Sequence, residues 1–191
     1  MNLIEKAKQF AHEAHDSIGQ KRKYSGEPYW VHTDAVADKV AAVGGSETMI
    51  AAAHLHDVLE DVTPLDKTGR FNYATIVKEF GEDVARLVRQ LTDMFTKEAF
   101  PTFNRKERKA MERERVKNIT PEAKTIKLAD LINNTQSIVA DDKDFAKVYL
   151  REKLLLLPIL SEGNSELLNI ASIQATTACM LVGVDIITLN A

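Results

Sequence analysis

Most of the chemistry this chain can offer lies in one short stretch, His54-Leu55-His56-Asp57-Val58-Leu59-Glu60-Asp61. Imidazoles and carboxylates are threaded there through an apolar run that begins with Ala51, Ala52 and Ala53. If the stretch is one α-helix, residues three and four apart share a face. Glu60 then lies beside His56 and Asp57, and Asp61 beside Asp57. Carboxylates crowded in this way are costly when buried without a counter-charge, and a divalent cation is the simplest one. Two residues elsewhere join the set: His32 upstream, and Asp130 between Leu128, Ala129, Leu131 and Ile132. Together, His32, His56, Asp57 and Asp130 form a mixed nitrogen and oxygen donor set. Such a set suits Mn²⁺, Fe²⁺ or Zn²⁺ rather than a thiolate-type structural zinc. A cation so held, with positions left open, lowers the pKa of bound water and polarises a phosphoryl oxygen. Glu60 and Asp61, one turn on, are placed to orient that water or take its proton. Carboxylates at a helix C-terminus oppose the helix dipole, a local conflict that favours a functional reason for them. His54 reads as structural, and His12 and His15 as surface residues.

The elements that must position these groups read as helices throughout. Leu3, Ile4, Ala7, Phe10, Ala11 and Ala14 fall on one helical face. A basic loop over residues 19–28, punctuated by Gly19, Gly26 and Pro28, leads to a helix from 29 or 33 to 43 with His32 at its start. Gly44-Gly45 ends that helix, and Ser46 can cap the next, which carries the central cluster. Thr63-Pro64 closes it, and residues 64–70 read as a surface insertion. Helices over 73–80 and 82–92 are separated by Gly81, and residues 94–104 form a second loop. The charged helix over 105–117 is either solvated or turned toward phosphate. Thr120-Pro121 starts a helix that runs through Asp130 to Asn134. Helices over 144–160 and 165–182 close the fold. The fold class is all-α, a single helical domain over 1–191 with its motif-bearing core at about 3–160.

Composition sets the outer bounds. With 191 residues and 45% hydrophobic content, one domain with a real core is expected. A net charge of -3 and a pI of about 6.0 give no basic field to recruit nucleic acid or an acidic membrane. Cys179 is the only cysteine, so a disulfide framework is excluded and a cytoplasmic setting is expected. The N-terminus does not read as a secretory signal. The richest apolar run, 154–160, is far short of the ~20 residues that span a bilayer.

A His, then His-Asp, then Asp on successive helices resembles the HD phosphohydrolase superfamily. Arg22-Lys23, then Ser25-Gly26-Glu27-Pro28-Tyr29 leading to His32, resembles the basic loop of the Rel/SpoT-type alarmone hydrolases. His56-Asp57-Val58-Leu59-Glu60-Asp61 is similar to their His-Asp-x-x-Glu-Asp signature, and Phe80-Gly81-Glu82-Asp83-Val84 to the break that follows. Lys127-Leu128-Ala129-Asp130 through Asn134 resembles their last metal aspartate and a nearby asparagine. The length resembles the stand-alone small alarmone hydrolases.

The resemblance implies an HD-domain bundle and a manganese-dependent 3′-pyrophosphohydrolase acting on a nucleotide such as (p)ppGpp or (p)ppApp. It implies metal ligands at His32, His56, Asp57 and Asp130, and handling of the nucleophilic water by Glu60 and Asp61. It implies substrate contacts at Arg22 and Lys23, which pack on the base and reach phosphate, and at Asn134 and Arg151. Leu131 stands where the family carries Arg or Lys, and a leucine at or near Leu155 where it often has tyrosine; both positions bear on substrate recognition. An HD-type 5′-nucleotidase and a non-catalytic nucleotide sensor are the alternatives. The oligomeric state is not legible in the sequence.

Overall fold

The computed structural model describes residues 1–185, and among these every regular element is helical. The α-helices are α1 (Leu3–Ser17), α2 (Trp30–Ala42), α3 (Glu47–Leu55), α4 (Tyr73–Phe80), α5 (Glu82–Leu91), α6 (Arg105–Val116), α7 (Pro121–Asp141), α8 (Lys143–Leu156) and α9 (Ser165–Val182). The chain divides after Thr92 into two compact units, α1–α5 and α6–α9. Among the described residues no helix is long and apolar enough to cross a membrane.

Helix starts follow local chemistry. Side chains of Asn2, Ser46, Asn72, Asn104, Thr120, Asp142 and Asn164 each accept a backbone N–H of the first turn. Each satisfies a donor that the helix itself cannot pair. Asn104 and Glu107 do so reciprocally, as a capping box. Between α4 and α5, Gly81 has φ 86°, a conformation an L-residue with a side chain rarely adopts.

In the first unit, α3 packs on α1, α2 and α5. Ala7, Ala11 and Ala14 of α1 and Ala51, Ala52 and Ala53 of α3 are all fully buried. Small side chains let the backbones approach closely, while Leu55, Val36 and Val40 fill the remaining space. Fully burying a residue such as Leu55 contributes about 1.5–3 kcal/mol. The loop over 64–70 is exposed but tied down: Asp66 accepts from the backbone N–H of Thr68 and Phe71, and the Thr63 hydroxyl donates to Phe71 O at 2.7 Å.

In the second unit, α7 is packed by α8 and α9. Gly163, in the α8–α9 connection, sits where an added Cβ would meet Thr125 N at 3.0 Å and Leu128 Cδ1 at 3.1 Å, tight contacts to which the turn or α7 would have to yield. The helix expected over 144–160 ends instead at Leu156 and tightens into a 3₁₀ turn, Leu157–Leu160. Pro158, within that turn, has no N–H to continue an α-helix.

Candidate functional site

The central stretch is not one α-helix. α3 stops at Leu55, His56 caps it, and Val58–Val62 forms a π-helical turn closed by Thr63 N–H to Val58 O at 3.0 Å. Asp57, at the junction, has φ −94° and ψ −3°, the bridge region where many active-site residues sit. This corrects the uninterrupted helix read from the sequence. Neighbouring side chains diverge by ~100° on a helix, yet here His56 Nε2 lies 3.0 Å from Asp57 Oδ2. His32 Nε2, from α2, lies 3.6 Å from the same oxygen. Both imidazoles are buried. His56 Nδ1 donates to Ala53 O at 2.8 Å, which directs its other nitrogen toward Asp57.

Burial opposes ionisation of Asp57, but His56, His32 and the Tyr29 hydroxyl, which donates to Oδ2 at 2.7 Å, outweigh it. The carboxyl is held far below the ordinary range. Asp61 is the opposite case. Burial and then the charge of Asp57 push it up to about 6, against the hydrogen bond that Gln20 Nε2 donates at 2.8 Å. Two carboxylates one turn apart thus have different proton affinities, a pattern of acid–base sites. Glu60 is half-buried in the same turn.

The donor set fits a divalent cation. Ligand atoms at ~2.1 Å from one ion lie roughly 3.0 Å apart at right angles and roughly 3.4 Å apart at the tetrahedral angle. The separations of the two imidazole nitrogens from Asp57 Oδ2, 3.0 and 3.6 Å, bracket that range.

The second unit holds a cavity of about 190 Å³ bordered by α6, α7 and α8. From α6, Arg105, Lys109, Glu112, Arg113 and Val116 line it, at spacings of one helix face. From α7 come Lys127, Asp130, Leu131 and Asn134, and from α8 Tyr149, Glu152, Lys153 and Leu156. Arg105 grips Glu152 through two bonds of 2.7 and 2.8 Å, and Lys109 holds Asp93 at 2.8 Å. Burial alone would raise the Asp93 carboxyl, but Lys127 and Lys109 hold it low. Arg113 has no carboxylate partner among the described residues. Asp130, buried, accepts from Asn134 Nδ2 at 2.6 Å and pairs with Lys127 Nζ at 3.2 Å.

The sequence profile described as HD domain matches residues 7–155. The chain belongs to the HD-domain family. Over 139 residues it is 32% identical to the guanosine-3′,5′-bis(diphosphate) 3′-pyrophosphohydrolase MESH1 of Xenopus tropicalis, covering 71% of this chain and 69% of that one. It is 43% identical over 89 residues to the guanosine-3′,5′-bis(diphosphate) 3′-pyrophosphohydrolase of Aquifex aeolicus. That match covers 47% of this chain but only 11% of the relative, so the chain spans about a tenth of such long bacterial proteins. A solved structure described as a metazoan ortholog of SpoT that hydrolyzes ppGpp and plays a role in starvation responses superposes with a TM-score of 0.77 at 25% identity. The superposition covers 97% of this chain and 98% of that one.

In the first unit of this HD domain the structure brings His32, His56, Asp57 and Asp61 together around Tyr29 and Gln20. Arg22 lies near them, its guanidinium 5.8 Å from the centre of the Tyr29 ring, while Lys23 is exposed and lies over Tyr24. In the second unit Asp130 and Asn134 share the cavity wall, and Arg151 is exposed on α8 outside the lining. His12 and His15 are not surface residues. His15 is fully buried, and His12 is half-buried, stacked on Trp30 at 4.3 Å and bonded to Asp34 at 3.0 Å. His54 is buried 3.1 Å from Asp34, and burial lowers its pKa against that carboxylate. The sequence reading did not single out Tyr149, and it left Lys109 and Arg113 within a helix either solvated or turned toward phosphate. The four-residue spacing of Lys109 and Arg113 on α6 was readable, but which face of that helix lines a cavity was not.

Proposed function

We propose that this HD domain is a metal-dependent 3′-pyrophosphohydrolase of an alarmone nucleotide such as (p)ppGpp, giving the nucleotide and pyrophosphate. The observation that carries the reading is the pair Asp57 and Asp61. One carboxylate is held ionised beside two imidazoles, and the other has its pKa raised within the same turn. Hydrolysis of the 3′-phosphate ester bond, with pyrophosphate as product, draws on both a cation site and a base, and the two environments suit those two tasks. The names of the relatives support the substrate class.

In this reading His32, His56, Asp57 and Asp130 hold one divalent ion, Mn²⁺ being the cation the resemblance implies. When bound, that ion lowers the pKa of water and polarises a phosphoryl oxygen. Asp61, with Glu60, aims the attacking water in line with the departing 3′-oxygen and takes its proton. Tyr29 keeps Asp57 oriented through its hydroxyl. Arg22 offers a planar cation that stacks on a base and pairs with phosphate. Lys23 and Arg151 add positive charge for the substrate, and Asn134 contacts the nucleoside. The cations of the second unit's cavity, Arg113 above all, suit a polyphosphate. The chain works as a single HD domain on a small molecule in the cytoplasm.

The test is a screen of purified protein with Mn²⁺ against ppGpp, pppGpp, ppApp, NADPH and simple mononucleotides, reading pyrophosphate and orthophosphate. Pyrophosphate release from the 3′-pyrophosphorylated nucleotides is expected. Orthophosphate from mononucleotides would make the protein a nucleotidase, and binding without turnover would make it a sensor; either overturns the proposal.

A further inference from the structure

We propose that His15 and Gln20 are positioning residues for Asp61: the imidazole fixes the orientation of the Gln20 amide, and the amide aims the Asp61 carboxylate. The catalytic consequence rests on the hydrolase reading above, but the coupling stands on the geometry of the first unit.

Gln20 Oε1 lies 2.6 Å from His15 Nδ1, and Gln20 Nε2 lies 2.8 Å from Asp61 Oδ2. An ionised carboxylate only accepts, so the amide must turn its NH₂ toward Asp61. Its carbonyl then faces His15, and Nδ1 must carry the hydrogen. The other ring nitrogen, Nε2, is buried and has no hydrogen-bond partner among the described residues. A proton placed there instead would strand a buried N–H and set two lone pairs against each other at Nδ1. Burial also lowers the His15 pKa against the Gln20 bond, which favours the neutral ring. Flipping the amide would oppose carbonyl to carboxylate and NH₂ to N–H. One arrangement of the three residues is therefore selected.

The backbone of residue 20 is engaged as well. Its N–H donates to His15 O at 3.0 Å, and its C=O accepts from Tyr29 N–H at 3.1 Å. Tyr29 packs on the His15 ring at 4.8 Å and donates to Asp57. The loop after α1 thus supplies donors to both carboxylates, Tyr29 to Asp57 and Gln20 to Asp61, and both of these residues contact His15.

A purely structural Gln20 would also make these bonds, so the test must read coupling. Gln20→Met keeps side-chain length and backbone bonds and removes the donor. Its kcat should fall roughly 10- to 100-fold, the scale of a slightly misplaced reacting group, with KM and bound Mn²⁺ close to wild type. In the Asp61→Asn background the same substitution should cost no further kcat. His15→Asn, whose amide can take the place of Nδ1–H, should retain most of the activity that His15→Leu loses. Equal losses of kcat from Gln20→Met with and without Asp61 would overturn the proposal.

Two readouts do not need turnover. Long-range ¹H–¹⁵N spectra should show His15 protonated at Nδ1 and bare at Nε2. Unfolding midpoints of Gln20→Met, Asp61→Ala and the double variant should be non-additive. A His15 protonated at Nε2, or additive midpoints, overturns the positioning even in an active enzyme. If both readouts hold while wild type hydrolyses none of the nucleotides, the positioning is supported and the hydrolase reading fails.

Discussion

Lys153 offers a measurement whose size follows from its surroundings. The side chain is 1% exposed, and among the described residues its ammonium bonds only to neutral acceptors: Thr135 Oγ1 at 2.7 Å, Gln174 Oε1 at 2.9 Å and Leu131 O at 3.5 Å. Burial lowers its pKa to about 7, with Asp130 opposing, from 10.5 for an ordinary lysine. Between those two values the unfolded chain holds a proton that the native chain does not, so stability rises with pH. Below pH 7 both states are protonated, and the cost of burying the charge is constant. Linkage with these two values gives a gain of about 2.5 kcal/mol from pH 6 to pH 9. Lys153→Met keeps length and removes the titration. Gln174 Oε1 then loses a donor, a penalty of about 1–3 kcal/mol that does not change with pH. Urea unfolding of both proteins in EDTA, at half-unit steps over this range, isolates the effect, because other groups cancel in the difference. The wild-type advantage should grow with pH by about that amount. A difference flat to within about 0.5 kcal/mol would show that Lys153 stays charged throughout and that burial does not dominate its proton affinity.

Four further outcomes are expected. Asp57→Ala should lose bound Mn²⁺ and activity together, and metal analysis showing unchanged stoichiometry would remove Asp57 from the ligand set; Asp130→Ala tests the fourth ligand in the same way. Asp61→Asn or Glu60→Gln should retain the metal and KM but lose kcat by ~10²–10⁴, the usual worth of a positioned base, while loss of metal would reassign these carboxylates as ligands. Arg22→Ala should raise KM more than it lowers kcat, the mark of lost uniform binding; an unchanged KM makes the loop only solvated surface. Gly163→Ala should destabilise by about 1–3 kcal/mol through its contact with Thr125 and Leu128, read as a lower melting temperature.

The helices were legible where their ends carry local chemistry. Ser46, Thr120-Pro121 and the glycines at 44–45 and 81 mark boundaries through capping and backbone freedom, which depend on near neighbours alone. The α9 bounds match the expected 165–182 for the same reason, with Asn164 capping and Gly183 in the left-handed conformation at the end. His15 was illegible because burial is tertiary. Its four-residue spacing from Ala11 says that it shares the apolar face of α1, but a histidine there is tolerable only once a partner such as Gln20 exists. The cations of α6 were illegible for the complementary reason. A helix charged on all sides carries no stripe to show which face is turned inward.

Within the His-Asp stretch, residue types were legible and backbone was not, and the difference bears on function. An unbroken helix would point His56 and Asp57 about 100° apart. In the structure α3 has ended at Leu55, Asp57 lies in the bridge region, and His56 Nε2 and Asp57 Oδ2 are 3.0 Å apart. The π turn that follows begins at Val58, which is buried, and contains Glu60 and Asp61, which are half-buried. Asp61 N–H still reaches Asp57 O at 2.9 Å, so the two carboxylates remain one turn apart while the backbone around them leaves the α-helix. Isolated π turns occur often at functional sites because the extra residue re-aims side chains without ending the helix. Here the re-aiming has a chemical product. Asp57 faces two imidazoles and stays ionised, whereas Asp61 faces Asp57 and Gln20 and has a raised pKa. The same residue type at two positions, four apart, is given two proton affinities by its surroundings, and the proposed function assigns the cation to Asp57 and the proton to Asp61 on that difference.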